Sequence, residues 1–126
     1  MVLEVLPMEF TVCKLPPDGA ADLSVPFTFV SRTDEELSLV CPADAVPDGV
    51  LAEEKGFRCL RVRGPLDFSL VGILAGIAAC LAAEGISMFA VSTYDTDYVL
   101  VKKESLPSAV EALTRRGYTV ARSGAA

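Results

Sequence analysis

The sequence predicts an α+β fold, and three observations predict it. The second half of the chain reads strand, helix, strand, strand, helix, strand from Phe57 onward. That order is the split-βαβ, or ferredoxin-like, βαββαβ arrangement. A second observation is an internal repeat. Val30-Ser-Arg-Thr-Asp-Glu-Glu-Leu-Ser-Leu-Val40 matches the segment from Val91 to Val101 at a constant offset of 61, with five identities in eleven positions. Average composition gives roughly one such match. The third is that the same offset maps Lys55-Gly-Phe57 onto Arg116-Gly-Tyr118, so strand 57–63 closes one copy and opens the next. Two units follow: a degenerate N-terminal copy over 1–56 and a complete one over 57–126, sharing an antiparallel sheet.

The elements follow in order. Glu9-Phe-Thr-Val-Cys-Lys-Leu15 alternates and is β-rich, and Pro16-Pro17-Asp18-Gly19 ends it. Ala20–Ser24 has room for one helical turn at most. Phe27–Ser31 and Glu36–Cys41 are strands around a polar turn at Asp34 and Glu35. Pro42, Pro47 and Gly49 break any helix before Lys55. Phe57–Arg63 is a strand whose arginines point to one exposed face. Asp67 or Ser69 caps the helix that follows, with Phe68 and Ile73 as a hydrophobic staple and Gly85 just past its end. Gly72, Gly76 and Ala79 share one side of it. Glycine costs a helix up to about 1 kcal/mol relative to alanine, so close approach of another backbone or a ligand is expected there. Ile86–Ser92 and Asp97–Val101 form a hairpin. Ser105 caps the second helix, Pro107 fits its first turn, and Gly117 stops it. Tyr118–Arg122 is the last strand, and Ser123–Ala126 is expected to fray.

Composition bounds the function. Hydrophobic residues make up 52% and charged ones 22% of 126 residues, enough for a packed core. The net charge of −6 and scattered Lys and Arg disfavour nucleic acid and anionic membranes, which need clustered cations. The N-terminus lacks the basic start of a signal peptide, and the longest apolar run is too short to cross a bilayer. A cytoplasmic location is therefore expected. There is no histidine, which removes the commonest general base and most catalytic zinc sites. No catalytic residue, metal or cofactor is expected. Cys13, Cys41, Cys59 and Cys80 read as buried, reduced thiols.

The topology brings two features to one sheet edge: the helix start at 67–72, and Ser92, Thr93 and Tyr94 of the hairpin. A helix N-terminus suits a carboxylate, and Gly72 lets one approach the backbone. Asp95 and Asp97 can receive an ammonium or guanidinium group. A carboxylate pole beside a cation pole is what a free amino acid requires. Plainer roles stand beside these. Asp67 and Ser69 also serve as simple caps, Asp95 as a turn former, and the glycines as helix-packing positions. Asp97 is harder to explain away, because it begins a strand, where Asp is depleted.

Those residues also carry a family resemblance. Pro65-Leu-Asp-Phe-Ser-Leu-Val-Gly72, Ala83-Glu-Gly-Ile-Ser87 and Ser92–Val101 resemble the ACT domain family. The resemblance is to the tandem group that includes the CASTOR-type arginine sensors and small prokaryotic tandem-ACT proteins. It covers Phe57–Val120 well and the part from Glu9 onward more loosely. It implies an amino-acid-binding regulatory module with its ligand at an interface between ACT units. It further implies that Asp97 contacts the ligand, and that Ser69, Leu70, Val71 and Gly72 give backbone contacts. Arginine specificity does not carry over. With only two units, one of them truncated, a complete site calls for a homodimer, paired through sheet edges or helices, and a regulated protein partner is possible. The competing reading is an interaction or dimerisation module with no small ligand.

Overall fold

The computed structural model describes residues 1–66 and 71–122. The chain divides into two compact units, Met8–Phe57 and a second made of Met1–Pro7 with Arg58–Ala126. Residues 1–7 thus belong with the C-terminal unit rather than with the N-terminal copy. Seven strands and two helices follow in order: β1 (Val2–Leu15), β2 (Phe29–Arg32), β3 (Leu37–Pro42), β4 (Ala52–Val62), α1 (Ile73–Ala83), β5 (Phe89–Ser92), β6 (Asp97–Lys102), α2 (Leu106–Arg115) and β7 (Thr119–Arg122). The expected order from the fourth strand onward, βαββαβ, is present.

In the N-terminal unit the strands lie in the order β2-β3-β1-β4. Both helices are missing from it. Loop 16–28 joins β1 to β2, and a single 3₁₀ turn, Ala43–Ala45, follows β3. One cluster of its core is Cys13, Leu15, Leu37, Leu39 and Cys41, backed by Ala21, Ala45, Val46 and Val50, and Phe10 and Val40 are buried as well. Phe10 and Phe27 pack edge to face with ring centroids 6.3 Å apart.

In the C-terminal unit the order is β5-β6-β4-β1-β7. It matches the other unit's order except that one strand, residues 2–5 of β1, stands between β4 and β7. Val2–Val5 pair with Thr119–Arg122 in parallel, in a sheet expected to be antiparallel throughout. Sequence reading starts β1 at Glu9, whereas the strand begins at Val2. Pro7 falls between the run paired with β7 and the run paired with β3, so its missing N–H interrupts neither ladder. Arg58 and Arg61 of β4 are half-buried rather than on an open face, and Arg63, just past the strand, is exposed. Arg58 donates to the Leu6 carbonyl at 2.9 Å, and Glu4 holds Arg61 at 3.1 Å and Arg63 at 3.6 Å.

Helix α1 contains no polar side chain besides Cys80. Its Ile77, Cys80 and Leu81 pack with Leu60, Val62, Val99 and Val101 of the sheet and Ala109, Ala112 and Leu113 of α2. Both helices end alike. Gly85 and Gly117 take positive φ (69° and 98°) just past the last turn. The next residues, Ile86 and Tyr118, donate back to Leu81 and Leu113 at 3.0 and 3.1 Å. These are Schellman closures, as Gly85 and Gly117 predict. The start of α1 differs from expectation: its N-cap is Gly72, in left-handed backbone at φ 81°. The proposed caps Asp67 and Ser69 and the staple residue Phe68 lie outside the described residues, as does Ser123–Ala126. Ser105 makes no side-chain capping bond, since a 3₁₀ turn over Lys103–Ser105 leads directly into α2.

The two hairpins correspond in a different register from the one the identities give. In one hairpin Phe29 faces Val40 and Arg32 faces Leu37; in the other Phe89 faces Leu100 and Ser92 faces Asp97. The structural offset is therefore 60, one less than the 61 of the sequence match. Beyond the hairpins, Gly56 and Gly117, which are 61 apart, both have positive φ. The stretch from β6 to Gly117 is thus one residue longer than the stretch from β3 to Gly56. All four cysteines are buried and unpaired. Burial pushes the Cys41 thiol up to about 11 and that of Cys59 to about 12.

Candidate functional site

A cleft of about 280 Å³ opens in the C-terminal unit. One wall is Leu66 with the first turn of α1, Gly72 to Ala75. The other is the β5–β6 turn, Ser92 to Asp97. Each wall has a local cause. Gly72 adopts φ 81°, where a Cβ is strained, and it opens the helix with no side-chain cap. Its carbonyl accepts the first helical bond, from the N–H of Gly76 at 2.9 Å. The N–H groups of Ile73, Leu74 and Ala75 belong to the first turn, which has no intrahelical acceptor for them. The cleft therefore meets the positive end of the helix dipole.

The opposite wall is a four-residue turn closed by hydroxyls. Thr93 N–H donates to the Thr96 carbonyl at 2.8 Å, and Thr93 Oγ1 donates to the same oxygen at 3.1 Å. Ser92 and Asp97 form the closing pair of the hairpin, and Ser92 Oγ donates to Asp97 Oδ1 at 2.6 Å. Asp97 is half-buried; Asp95 is exposed. Two bonds fix the turn to the segment after β4. Leu66 N–H donates to the Asp95 carbonyl at 2.7 Å, and Thr96 Oγ1 donates to the Val62 carbonyl at 2.6 Å.

Of the residues singled out in the sequence, Gly72, Ser92, Thr93, Asp95 and Asp97 line this one cleft. Val71 does not line it and is 90% exposed beside it. Ser69 and Leu70 lie outside the described residues. Gly76 has the close neighbour its cost implied, but it is a side chain: a Cβ there would sit 3.0 Å from Tyr118 Oη. Thr96 was not singled out. It is only 6% exposed, and its partner is a backbone carbonyl 34 residues away, which no local pattern reveals. Thr96→Val keeps the shape and removes that bond. It is expected to cost about 1–2 kcal/mol, read as a lower denaturant midpoint at unchanged slope.

Among the described residues no group of three or more His, Cys, Asp or Glu side chains is arranged to hold a metal ion. Nor is any described helix long and apolar enough to cross a membrane.

Comparison with known proteins agrees with this geometry at the level of family and fold. A family model described as ACT domain matches residues 52–115. The bovine protein named cytosolic arginine sensor for mTORC1 subunit 1 is 34% identical over 105 residues, covering 78% of this chain and 32% of that protein. The chain thus spans about a third of the length of the curated relatives it matches. A crystal structure from Agrobacterium tumefaciens superposes with a TM-score of 0.86 at 29% identity, covering 98% of this chain and 94% of that one. Aspartate kinase from Synechocystis superposes at 0.69 and 13% identity, covering 99% of this chain and 28% of the kinase, a likeness of fold alone. With the element order above, the fold is α+β and ferredoxin-like, of the ACT type.

Proposed function

The chain belongs to the ACT domain family, and from that premise we propose a regulatory protein that binds a free amino acid in the cleft between α1 and the β5–β6 turn. In this reading one complete ACT unit is preceded by a degenerate ACT-like one. The observation that carries it is the pairing of a helix start that has no side-chain cap among the described residues with a half-buried carboxylate, Asp97, across one cleft. The ligand carboxylate lies over the first-turn N–H groups of α1. Its ammonium meets Asp97, which Ser92 orients, with Asp95 on the rim. The cleft volume equals about nine water molecules, enough for an amino acid and part of its side chain.

Exposed Val71 and Tyr94, at 90% and 81%, border this site. Cover from a second chain would shield them, so the site would be completed in a homodimer. Ligand binding then stabilises one interface geometry and signals to a protein partner. The role is cytoplasmic and non-catalytic.

A thermal-shift screen of the intact protein against the twenty amino acids tests this. One or a few, at 100 times Kd, should raise Tm by roughly 10 °C. A flat response to all twenty at millimolar concentration overturns it. The composition of α1 favours a second reading, a self-association module with no small ligand. Its outward positions Ala75, Ala79 and Ala82 are all apolar and exposed. A flat screen together with a dimer by light scattering would select that reading.

A further inference from the structure

We propose that the N-terminal unit carries a second small-molecule site with the opposite charge preference, one that takes a short branched aliphatic carboxylate lacking an amino group. The two hairpins are built on the same plan. Arg32 faces Leu37 where Ser92 faces Asp97. Thr33 N–H donates to Glu36 O at 2.9 Å, as Thr93 N–H does to Thr96 O at 2.8 Å. Each unit also has a cleft beside its hairpin, bounded by the segment that follows its first strand. In the N-terminal unit that segment is loop 16–28, and the cleft measures about 180 Å³.

The chemistry is inverted at the two closing positions. Where the C-terminal unit has Asp97, this unit has Leu37, 4% exposed; where it has Ser92, this unit has Arg32. Arg32 is the one charged side chain lining the cleft, and Leu15, Ala21, Leu23, Val30 and Leu37 supply the rest of the lining with Gly19. An ammonium group finds no carboxylate in that lining and meets a guanidinium instead. A carboxylate finds a fork of donors suited to it, and an aliphatic tail finds aliphatic walls. The volume equals about six waters, room for a ligand of about six or seven heavy atoms.

The wall is formed before any ligand arrives. Gly19 N–H donates to Pro16 O at 2.8 Å, and Asp22 Oδ1 accepts from Ser24 N–H and Oγ at 3.0 and 2.6 Å. Arg32 Nη2 donates to Pro17 O at 3.0 Å, using one of the five guanidinium donors and aligning the rest. Leu23 and Val30 are 74% and 41% exposed at the mouth, apolar surface that a bound tail would cover. This site is independent of the amino-acid cleft.

The test is titration of the ¹⁵N-labelled full chain with isovalerate, followed by amide shifts. Isoamyl alcohol, which lacks the carboxylate, and L-leucine, which adds an ammonium group, are the comparison probes. Isovalerate should move Gly19, Ala21, Leu23, Val30, Arg32 and Leu37 saturably and leave Ser92–Asp97 still. Both comparison probes should bind there about tenfold more weakly or worse. Arg32→Gln should abolish the response. Val30→Asp should do the same with Arg32 still in place, by putting a carboxylate in the cleft that repels the ligand and competes for the guanidinium, which covers the case in which Arg32→Gln disturbs the loop. No saturation at tens of millimolar overturns the proposal. So does equal binding of the alcohol or of leucine, a response confined to Ser92–Asp97, or isovalerate binding retained in Val30→Asp.

Discussion

Asp97→Asn is expected to abolish the amino-acid-dependent rise in Tm while leaving the ligand-free transition nearly unchanged. Asparagine keeps the size of the side chain and an oxygen that can accept from Ser92 Oγ, now at 2.6 Å from the carboxylate. The hairpin closure therefore survives. What is lost is the negative charge opposite the ligand ammonium. A hydrogen bond to a charged partner is worth about 1.5–3 kcal/mol, so affinity should fall roughly tenfold to 150-fold. Isothermal titration with the best amino acid from the screen reads this directly. Unchanged affinity in Asp97→Asn would move the cation pole elsewhere. Ser92→Ala removes only the orienting hydroxyl and should weaken binding by a smaller factor.

Deleting residues 1–7 is expected to remove the cooperative unfolding transition of the C-terminal unit. Leu3, Val5 and Leu6 are all buried, and each contributes about 1.5–3 kcal/mol of hydrophobic burial. The deletion also takes the partner of β7 over Thr119–Arg122 and the acceptors of Arg63 N–H and Thr119 N–H. It leaves Arg61 and Arg63 without Glu4. These losses together approach the whole stability of an ordinary domain, about 5–15 kcal/mol. Leu3→Ala is the graded version and should cost about 2–5 kcal/mol. Circular dichroism through a denaturant titration distinguishes the outcomes. A truncated chain with an intact sigmoidal transition would show that β1 is an accessory to this unit and not part of its core.

What the sequence discloses follows from how local the cause is. The hairpins were legible because their alternation and polar turns are written within a dozen residues. The helix ends were legible because Gly85 and Gly117 sit where a left-handed residue must be. Asp97 stood out because an acidic residue opening a strand conflicts with local preference. The first half of β1 was not legible: Pro7 is a break on local grounds, and only the distant partner β7 makes Val2–Val5 a strand. Residues 52–55 of β4 were read as part of a broken, Pro- and Gly-interrupted stretch for the same reason. The start of α1 was misplaced because Ser69 has the right chemistry for a cap, whereas Gly72 takes the role through its backbone angle. The two hairpins correspond at an offset of 60, one less than the 61 at which the identities align. That difference matters, since an offset of 61 pairs Asp97 with Glu36 and hides the Leu37 that stands in its place.

The pairing of Val2–Val5 with Thr119–Arg122 also bears on how the chain is made. Residues at the start of the sequence wait for partners that leave the ribosome more than a hundred residues later. Contacts of such long sequence separation carry a large closure entropy and form slowly. The N-terminal unit, whose β1–β3 and β2–β3 ladders lie within residues 10–42, can assemble during synthesis. The C-terminal unit cannot close until residue 119 and beyond are available. Until then Leu3 and Val5 lack the complete core they pack in, and apolar surface exposed in this way is prone to aggregate.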